Sequence, residues 1–391
     1  MIRHLFKLIW NQKRKNMLII IEIFFCFLVI FWVVCTATYS LKNYAVPLGY
    51  NVDQVYLLSV GFKNVPEDKA KATMEQVRQK LRAMPQIKGI STSPTIPFLS
   101  WGSMQDVESD NQKGQVLRWA ADDDFASVFD VKLLNGRWFD KRDNASTLPP
   151  AIITEDMQRE YFKGAAALGK TFMANDRRYT VIGVCANVRN EVFSTSSPGF
   201  FQRVSSDSGP VGTFMLRINS GNMDVMSDKM ILQTSALVKS GEGNWYVDGV
   251  ELSTLLKNQI RGFYTILLII GIVCLFLILN VVLGLWGVLW LSISKRSPEI
   301  GLRRAIGAVR ANIQQQFLGE AVVLATMGVV PGVLLAIQFP LLNVLPGISL
   351  SVYLLSILIS ILLMYMLVLV CAFYPSWKAS KVQPALVLHE N

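Results

Sequence analysis

Eight residues, Gly164–Thr171 (GAAALGKT), fit G-x-x-x-x-G-K-[ST], the pattern whose backbone amides and lysine cradle nucleotide phosphates. Its fixed positions are Gly164, Gly169, Lys170 and Thr171. Such a loop handles phosphate where it leaves a strand and opens a helix, so that the positive helix end faces the anion. Here the neighbours run the other way. Glu155–Phe162 (EDMQREYF) reads as a short helix after the strand-like Ala151–Ile153. Thr171–Met173 and Arg178–Val184 read as strands joined by a turn at Asn175 and Asp176. No apolar strand ends in an acidic Mg²⁺ ligand. The stretch is expected to be a false match, a surface turn in which Gly164 and Gly169 relax the backbone.

Other chemistry is scarce. Asp122, Asp123 and Asp124 could form a metal cluster, but they stand where a helix should begin, and capping of that helix is the expected role. The only histidines are His4 and His389, at opposite ends, which excludes a histidine metal site or a Ser-His-Asp triad in the middle of the chain. Cys26, Cys35, Cys274 and Cys371 lie in apolar runs, and Cys185 stands alone between them, so no disulfide forms there. Cys185 reads as a small buried strand residue. No catalytic, metal or cofactor-binding residue is assigned.

Ser292–Asn312 (SISKRSPEIGLRRAIGAVRAN) is a different kind of candidate. Ser297 suits an N-cap, Pro298 the first helical position and Glu299 the positive helix end. Glu299 and Arg303 are four apart in the favourable order. Leu302, Ala305, Ile306, Val309 and Ile313 make an apolar face, and Arg303, Arg304 and Arg310 project elsewhere. Gly301, Gly307 and Ala308 leave gaps for a close approach. Two readings stand on these residues: a membrane-surface helix whose arginines meet lipid headgroups, or a short helix that docks into a cytoplasmic partner.

The elements that must carry this segment follow from composition. The 391 residues are 52% hydrophobic and only 17% charged, with a mean hydropathy of +0.37, which points to a membrane protein. Four runs are long enough to span a bilayer: residues 17–39, 262–291, 317–342 and 351–374. The first is too long for the apolar core of a signal peptide and reads as an uncleaved anchor. The net charge of +10 is not spread evenly. The segment between the first two runs is close to neutral, and the excess sits before the first run, between the second and third, and after the fourth. By the positive-inside rule, residues 1–16, 292–316 and 375–391 are cytoplasmic. Residues 40–261 form an outer domain, and 343–350 a short outer turn. A basic nucleic-acid-binding patch on that domain is not expected. An outer compartment also lacks ATP, a second argument against a phosphate loop at Gly164–Thr171.

Within the outer domain, Asp53–Val60 alternates like a strand, and Pro66–Met84 reads as a helix with Met74, Val77 and Leu81 as its apolar stripe. Gln115–Ala120, Asp122–Phe129, Ala151–Thr154, Tyr179–Asn187 and Thr213–Ile218 continue an α+β pattern, with a break between two subdomains in Thr92–Gly114. Lys42–Tyr50 and Val250–Arg261 are expected to prolong the adjoining spans as a helical stalk. Glu22 and Glu320 lie near span ends, within reach of the headgroup region. The fold class is therefore a helical membrane protein of four transmembrane helices, with a large α+β extracytoplasmic domain inserted between the first and second.

KRSPEIGLRRAIGA resembles the loop by which MacB/FtsX-type ABC permeases couple to their ATPase. The likeness runs on through QFLGE (Gln316–Glu320) and reaches YPSWKASK (Tyr374–Lys381). NGRWFD (Asn135–Asp140), AIITE (Ala151–Glu155), LGKTF (Leu168–Phe172) and YTVIGVCANVRN (Tyr179–Asn190) are similar to the MacB-type periplasmic core domain. In that family the Gly-Lys-Thr belongs to a turn. The resemblance implies ATPase coupling through Glu299, Ile300, Gly301, Leu302, Arg303, Arg304, Ala305, Ile306, Gly307 and Ala308. It implies a separate ABC ATPase that carries ATP and Mg²⁺, and a second permease copy, identical or similar. A periplasmic adaptor, an outer-membrane channel and a place in the bacterial inner membrane with both termini cytoplasmic belong to the same expectation. Export of periplasmic antimicrobial or peptide-like substrates is the leading role. A lipoprotein-releasing permease, an FtsX-like regulator of cell-wall hydrolases and an uncoupled receptor or scaffold are the alternatives.

Overall fold

The computed structural model describes residues 13–99, 102–109, 112–204, 212–219, 223–239, 243–342, 344 and 347–380. His4, His389, most of the expected cytoplasmic segment 1–16 and the tail beyond 380 lie outside the described residues. The chain divides into two compact units, residues 43–263 and the helices on either side of them.

The first helix, α1 (Lys13–Tyr44), is continuous. It stops at Tyr44, and residues 45–50 are not helical, against the expectation of a helical stalk to Tyr50. Pro47 drives Val46 out of the helical region. Gly49 adopts φ +85°, and a Cβ there would lie 1.9 Å from the Asn187 carbonyl oxygen.

In chain order the inserted domain holds β1 (Val55–Lys63), α2 (Glu67–Arg82), β2 (Ile87–Thr92), β3 (Ser103–Ser109), β4 (Gln112–Ala121), α3 (Phe125–Phe129) and β5 (Leu133–Gly136). A 3-10 turn (Lys141–Ala145), β6 (Pro150–Thr154), α4 (Glu155–Tyr161), β7 (Thr171–Ala174), β8 (Arg177–Cys185) and β9 (Gly199–Arg203) follow. It closes with β10 (Thr213–Ile218), α5 (Met223–Val238) and β11 (Asn244–Glu251). Strands β11-β1-β10-β2 form one antiparallel sheet, and β5-β8-β6-β9-β4-β3-β7 a second. Because β7 also pairs with β8, the second sheet closes on itself. The chain passes from the first sheet to the second between Thr92 and Ser103.

Strand alternation explains how the two sheets hold together. On β1 and β10, Tyr56, Leu58, Val60, Phe214, Leu216 and Ile218 face the helices, packing with Met74, Val77 and Leu81 of α2 and Met226 and Met230 of α5. The opposite faces, through Val55, Leu57 and Met215, share a core with Trp119 and Phe201 of the second sheet, with Phe125 and Phe129 of α3 and with Trp138 after β5. A strand buried on both faces reads as an unbroken apolar run, as Val55–Leu58 does. The shared core makes the two sheets one body. Inside the closed sheet, Val116, Ile153, Phe172, Tyr179 and Phe200 pack around Met157, Tyr161 and Phe162. Asn175 and Asp176 both take positive φ, 42° and 61°, in the tight β7–β8 turn.

After β11, which includes Val250 and Glu251, α6 (Leu252–Lys295) runs for 44 residues. The expected helical stalk therefore starts at Leu252, because the main chain of Val250 and Glu251 pairs with Leu57 and Tyr56 of β1. At 1.5 Å per residue α6 is about 66 Å long, roughly twice a hydrocarbon core. A short helix α7 (Ser297–Ala305), then α8 (Arg310–Leu341) and α9 (Leu350–Ser380) complete the chain. Among the described residues four helices are long and apolar enough to cross a membrane: Met17–Tyr44, Leu252–Lys295, Arg310–Leu341 and Leu350–Lys378.

Small residues bring α8 against α1. A Cβ on Gly328 would lie 2.6 Å from Ile23, and one on Gly332 2.5 Å from Phe27, so this Gly-x-x-x-Gly pair allows close helix packing. Val281, Leu285 and Leu289 supply the contribution of α6 to that core, and most of its other apolar side chains stay exposed. Glu22 packs beside Gly284 of α6, and its Oε2 is buried without a hydrogen-bond partner.

Candidate functional site

α7 is a nine-residue helix with Pro298 in its first turn and Glu299 at its positive end. Its N-cap is Arg296, with no side-chain cap, and Ser297 is already helical. The Ser297 cap fails because α6 runs almost directly into α7. The Arg296 amide donates to the carbonyls of Ser292 and Ile293, leaving no extended residue from which a serine could reach forward. Glu299 and Arg303 form their i,i+4 ion pair, and Arg303 also donates to Gln316 at 3.2 Å. The helix ends in a Schellman motif: the Gly307 amide donates to the Arg304 carbonyl and that of Ala308 to Arg303. Gly307 sits at φ +102°, which a side chain would strain.

The ten residues expected to couple divide in two. Ile300 and Gly301 are buried, and Ile300 packs with Ile293, Ile313 and Phe317 at the root of α8. Leu302, Ile306 and Val309 are 53%, 79% and 60% exposed. Glu299, Arg303, Ala305 and Gly307 are also exposed, and Arg304 and Ala308 half-buried. The expected apolar face is therefore split. Ile313 turns inward with Ile300, while Leu302, Ile306 and Val309 stay uncovered beside the Glu299–Arg303 pair. The root is locked by a residue that sequence reading missed: Arg296 donates to Glu320 at 2.7 Å, the Glu320 side chain being 8% exposed. Glu320 thus ends in an ion pair instead of at a headgroup. Nothing in the spacing of 24 residues marks this pair.

The Gly164–Thr171 loop follows α4 and leads into β7. Its amides are already bonded to carbonyls: Gly164 to Gln158, Ala165 to Phe162, Gly169 to Val181 and Lys170 to Ala167. Gly164 and Gly169 take positive φ in open space, and the Lys170 ammonium lies 5.8 Å from the centre of the Phe162 ring. A phosphate cradle needs those amides free.

Asp122–Asp124 do not cap α3. Asp124 holds the N-cap position in a helical conformation and makes no side-chain cap. Each carboxylate instead has stronger partners elsewhere. Asp122 accepts from Ser91 Oγ and the Thr92 amide, both at 2.7 Å; Asp123 is held by Arg203 at 2.6 and 2.7 Å; Asp124 pairs with Arg82 at 2.8 Å. Burial pushes the Asp122 carboxyl up, against the hydrogen bonds from Thr92 and Ser91. No group of three metal-ligating side chains occurs among the described residues. Cys185 is fully buried in β8, and burial pushes its thiol up to about 12.

A second missed feature joins the two ends of the inserted domain. Arg189, 3% exposed, donates to the carbonyls of Asn43, Val46, Pro47, Val192 and Ser194. Asn43 Nδ2 returns a bond to the Phe193 carbonyl at 3.1 Å, and Gln259 accepts from the Val192 amide at 3.2 Å. The Phe193 ring stacks on Tyr44 at 5.9 Å and on Phe263 at 3.9 Å. Residues 189–194 thus grip both the last turn of α1 and the early turns of α6. Arg189 lies in the YTVIGVCANVRN stretch, but its partners are main-chain carbonyls, which leave no mark in a sequence.

Four candidate spans, an α+β insertion after the first and a short, firmly rooted helix between the second and third outline a multi-pass membrane protein with an extracytoplasmic domain. Residues 17–231 match the family described as the MacB-like periplasmic core domain, and residues 262–384 the FtsX-like permease C-terminal family. The chain belongs to the MacB/FtsX-like ABC transporter permeases. It is 24% identical over 98% of its length to the uncharacterized ABC transporter permease YvrN of Bacillus subtilis, covering 97% of that protein. It is 26% identical over 54% of its length to the macrolide export ATP-binding/permease protein MacB of Aggregatibacter actinomycetemcomitans, but spans only 33% of that relative. The crystal structure of the periplasmic region of MacB from Actinobacillus actinomycetemcomitans overlaps 56% of this chain and 98% of its own, with 14% identity and a TM-score of 0.38.

Proposed function

We propose that this permease transmits cytoplasmic ATP hydrolysis to its extracytoplasmic domain, and that its substrate is taken and expelled on the outer side. A separate ABC ATPase carries ATP and Mg²⁺ and docks on α7. The uncovered Leu302, Ile306 and Val309, flanked by the Glu299–Arg303 pair, form the contact. Ile300 and Gly301 support it from beneath, and the Arg296–Glu320 pair passes its displacement to α6 and α8. The observation that carries this reading is an apolar patch left exposed on α7 and the turn that follows it, while the other side of the helix is firmly anchored.

Both termini and the α7 loop face the cytoplasm in this reading, which the charge excess supports. α6 is one unbroken helix from Leu252 to Lys295, so a tilt or rotation imposed near α7 reaches Gln259 and Phe263. From there the Arg189–Ser194 loop passes it to the domain. The permease acts as a dimer with a second copy or a similar chain. Export of antimicrobial or peptide-like compounds is the role, with an adaptor and an outer-membrane channel as further partners where the envelope has two membranes.

The test is a mild-detergent pull-down of tagged chain from its native membranes, comparing wild type with a Glu299→Lys, Arg303→Glu variant. The variant keeps an i,i+4 pair but reverses the surface charges. A phosphate-loop ATPase that copurifies with wild type and is lost in the variant supports the docking role; one retained fully refutes it. A lipid-anchored cargo or a wall hydrolase in the same sample replaces the exporter with a lipoprotein-releasing or regulatory permease.

A further inference from the structure

A groove of about 1060 Å³ opens in the extracytoplasmic domain, away from the Arg189 grip and unused by the transmission route. Its floor is one end of four neighbouring strands, the starts of β8 and β6 and the ends of β9 and β4, and α2 and the 3-10 turn form its walls. Six cations line it, Lys71, Arg78, Arg82, Lys141, Arg177 and Arg203, against five acids, Glu75, Asp122, Asp123, Asp124 and Asp143.

The charges look balanced, but the hydrogen-bonding capacity is not. The acids are already engaged within the domain. Asp122 accepts from Ser91 and Thr92, Asp123 from Arg203, Asp124 from Arg82, and Glu75 from Gln79. Asp143, its side chain 1% exposed, takes two bonds from Arg137, at 2.8 and 2.5 Å. The donors are in surplus. Among the described residues the side chains of Lys141 and Arg177 have no ion-pair or hydrogen-bond partner. Arg78 has a buried Nε without a partner, and the carboxylates nearest it stand at 3.7 and 4.0 Å, beyond hydrogen-bond length. Asn144, also on the lining, accepts from Arg203 through its Oδ1, so its amide nitrogen is the end that remains to donate.

A groove whose cations keep unpaired N–H donors while each of its carboxylates already has a partner in the domain is complementary to a ligand rich in acceptors. We infer that it binds an anionic ligand carrying at least two carboxylate or phosphate groups, with Lys141 and Arg177 as outer contacts and Arg78 as the inner one. Arginine suits such groups because its planar fork meets two oxygens at once. The shared core of the two sheets means that the groove exists before any ligand arrives, so little ordering cost opposes binding. Its volume is at the upper end of small-molecule sites, which fits an extended polyvalent anion better than a single small ion.

The experiment titrates the full-length chain in nanodiscs with citrate and, separately, with tripolyphosphate, by calorimetry at low ionic strength. Wild type is compared with Lys141→Gln, Arg177→Gln and with a charge-matched control, Lys88→Gln, Lys113→Gln, whose positions lie outside the groove. Both pairs are exposed, and thermal melting of each variant verifies that it is folded. The expected result is saturable binding of at least one probe, weakened tenfold or more in the groove variant and less than twofold in the control. The probe that binds more tightly distinguishes carboxylate from phosphate as the recognised group. No binding of either probe, or a difference of less than threefold between the two variants, overturns the assignment. Because the assay contains no ATPase, its failure would leave the docking role of α7 untouched.

Discussion

Arg296 and Glu320 meet at 2.7 Å where the short α7 helix leaves α6 and α8 returns to the membrane. The Arg296 side chain is 22% exposed and that of Glu320 8%, so water screens the pair poorly. Breaking a buried pair by removing one partner typically costs about 3–5 kcal/mol, because the other charge is left without compensation. Glu320→Ala is expected to lower the unfolding temperature of the solubilised chain by several degrees, and the reversed pair Arg296→Glu, Glu320→Arg to recover part of that loss. Differential scanning fluorimetry reads both.

Gly307 closes α7 at φ +102°. A left-handed residue other than glycine costs about 1–2 kcal/mol, and the strain here falls on the turn that presents Ile306. Gly307→Val is expected to leave the membrane helices folded, as judged by far-UV circular dichroism, while cutting the yield of copurified ATPase severalfold. Equal yield would show that the turn has no part in docking.

Arg189 donates to five main-chain carbonyls, three where α1 enters the inserted domain (Asn43, Val46, Pro47) and two in its own loop (Val192, Ser194). Lysine has three donors on a flexible stem and cannot serve the same fork. Arg189→Lys is expected to cost about 2 kcal/mol, at the scale of losing hydrogen bonds from a charged donor. Limited proteolysis should cut near residues 189–194 in the variant well before wild type is cut there.

The Arg137 guanidinium hydrogen-bonds Asp143 and holds its carboxyl below the ordinary carboxylate range. A depressed folded value contributes stability that is fully present above the unfolded value, about 3.9. That contribution fades as pH falls through the folded value. The stability difference between wild type and Asp143→Asn is therefore expected to be constant near neutrality and to shrink below about pH 4. Paired thermal melts across pH 3–7 measure it.

Burial pushes the Cys185 thiol up to about 12, and the β8 backbone hides it. Maleimide at pH 7.5 should leave Cys185 unmodified in the native chain and modify it in denaturant, with peptide mapping as the readout. Native labelling would contradict the packing of β8 against β6.

Where one local pattern decides the outcome, the sequence was legible. The four apolar runs became the four long helices, Thr213–Ile218 was read at its observed bounds, and the stripe Met74, Val77, Leu81 faces the core of α2. β3 escaped notice because it is polar and largely exposed, and β11 because it is an edge strand whose apolar side chains are only half-covered. Asp122–Asp124 were misread as caps because their partners, Ser91, Thr92, Arg82 and Arg203, are distant in sequence. Ser297 was misread because a cap needs an extended residue, and α6 ends too close to supply one. The Arg189 grip and the Arg296–Glu320 pair depend on main-chain acceptors and long-range contact, which composition and periodicity do not encode.

Transmission itself is tested most directly at the grip. Hydrogen exchange of the segment 189–194, whose Val192 amide is held by Gln259, should be followed in the permease–ATPase complex with and without ATP. The account predicts that ATP changes the protection of this segment in wild type and leaves it unchanged in Leu302→Asp, Ile306→Asp. Protection indifferent to ATP in wild type, or altered equally in the variant, would contradict the route from α7 to the outer domain.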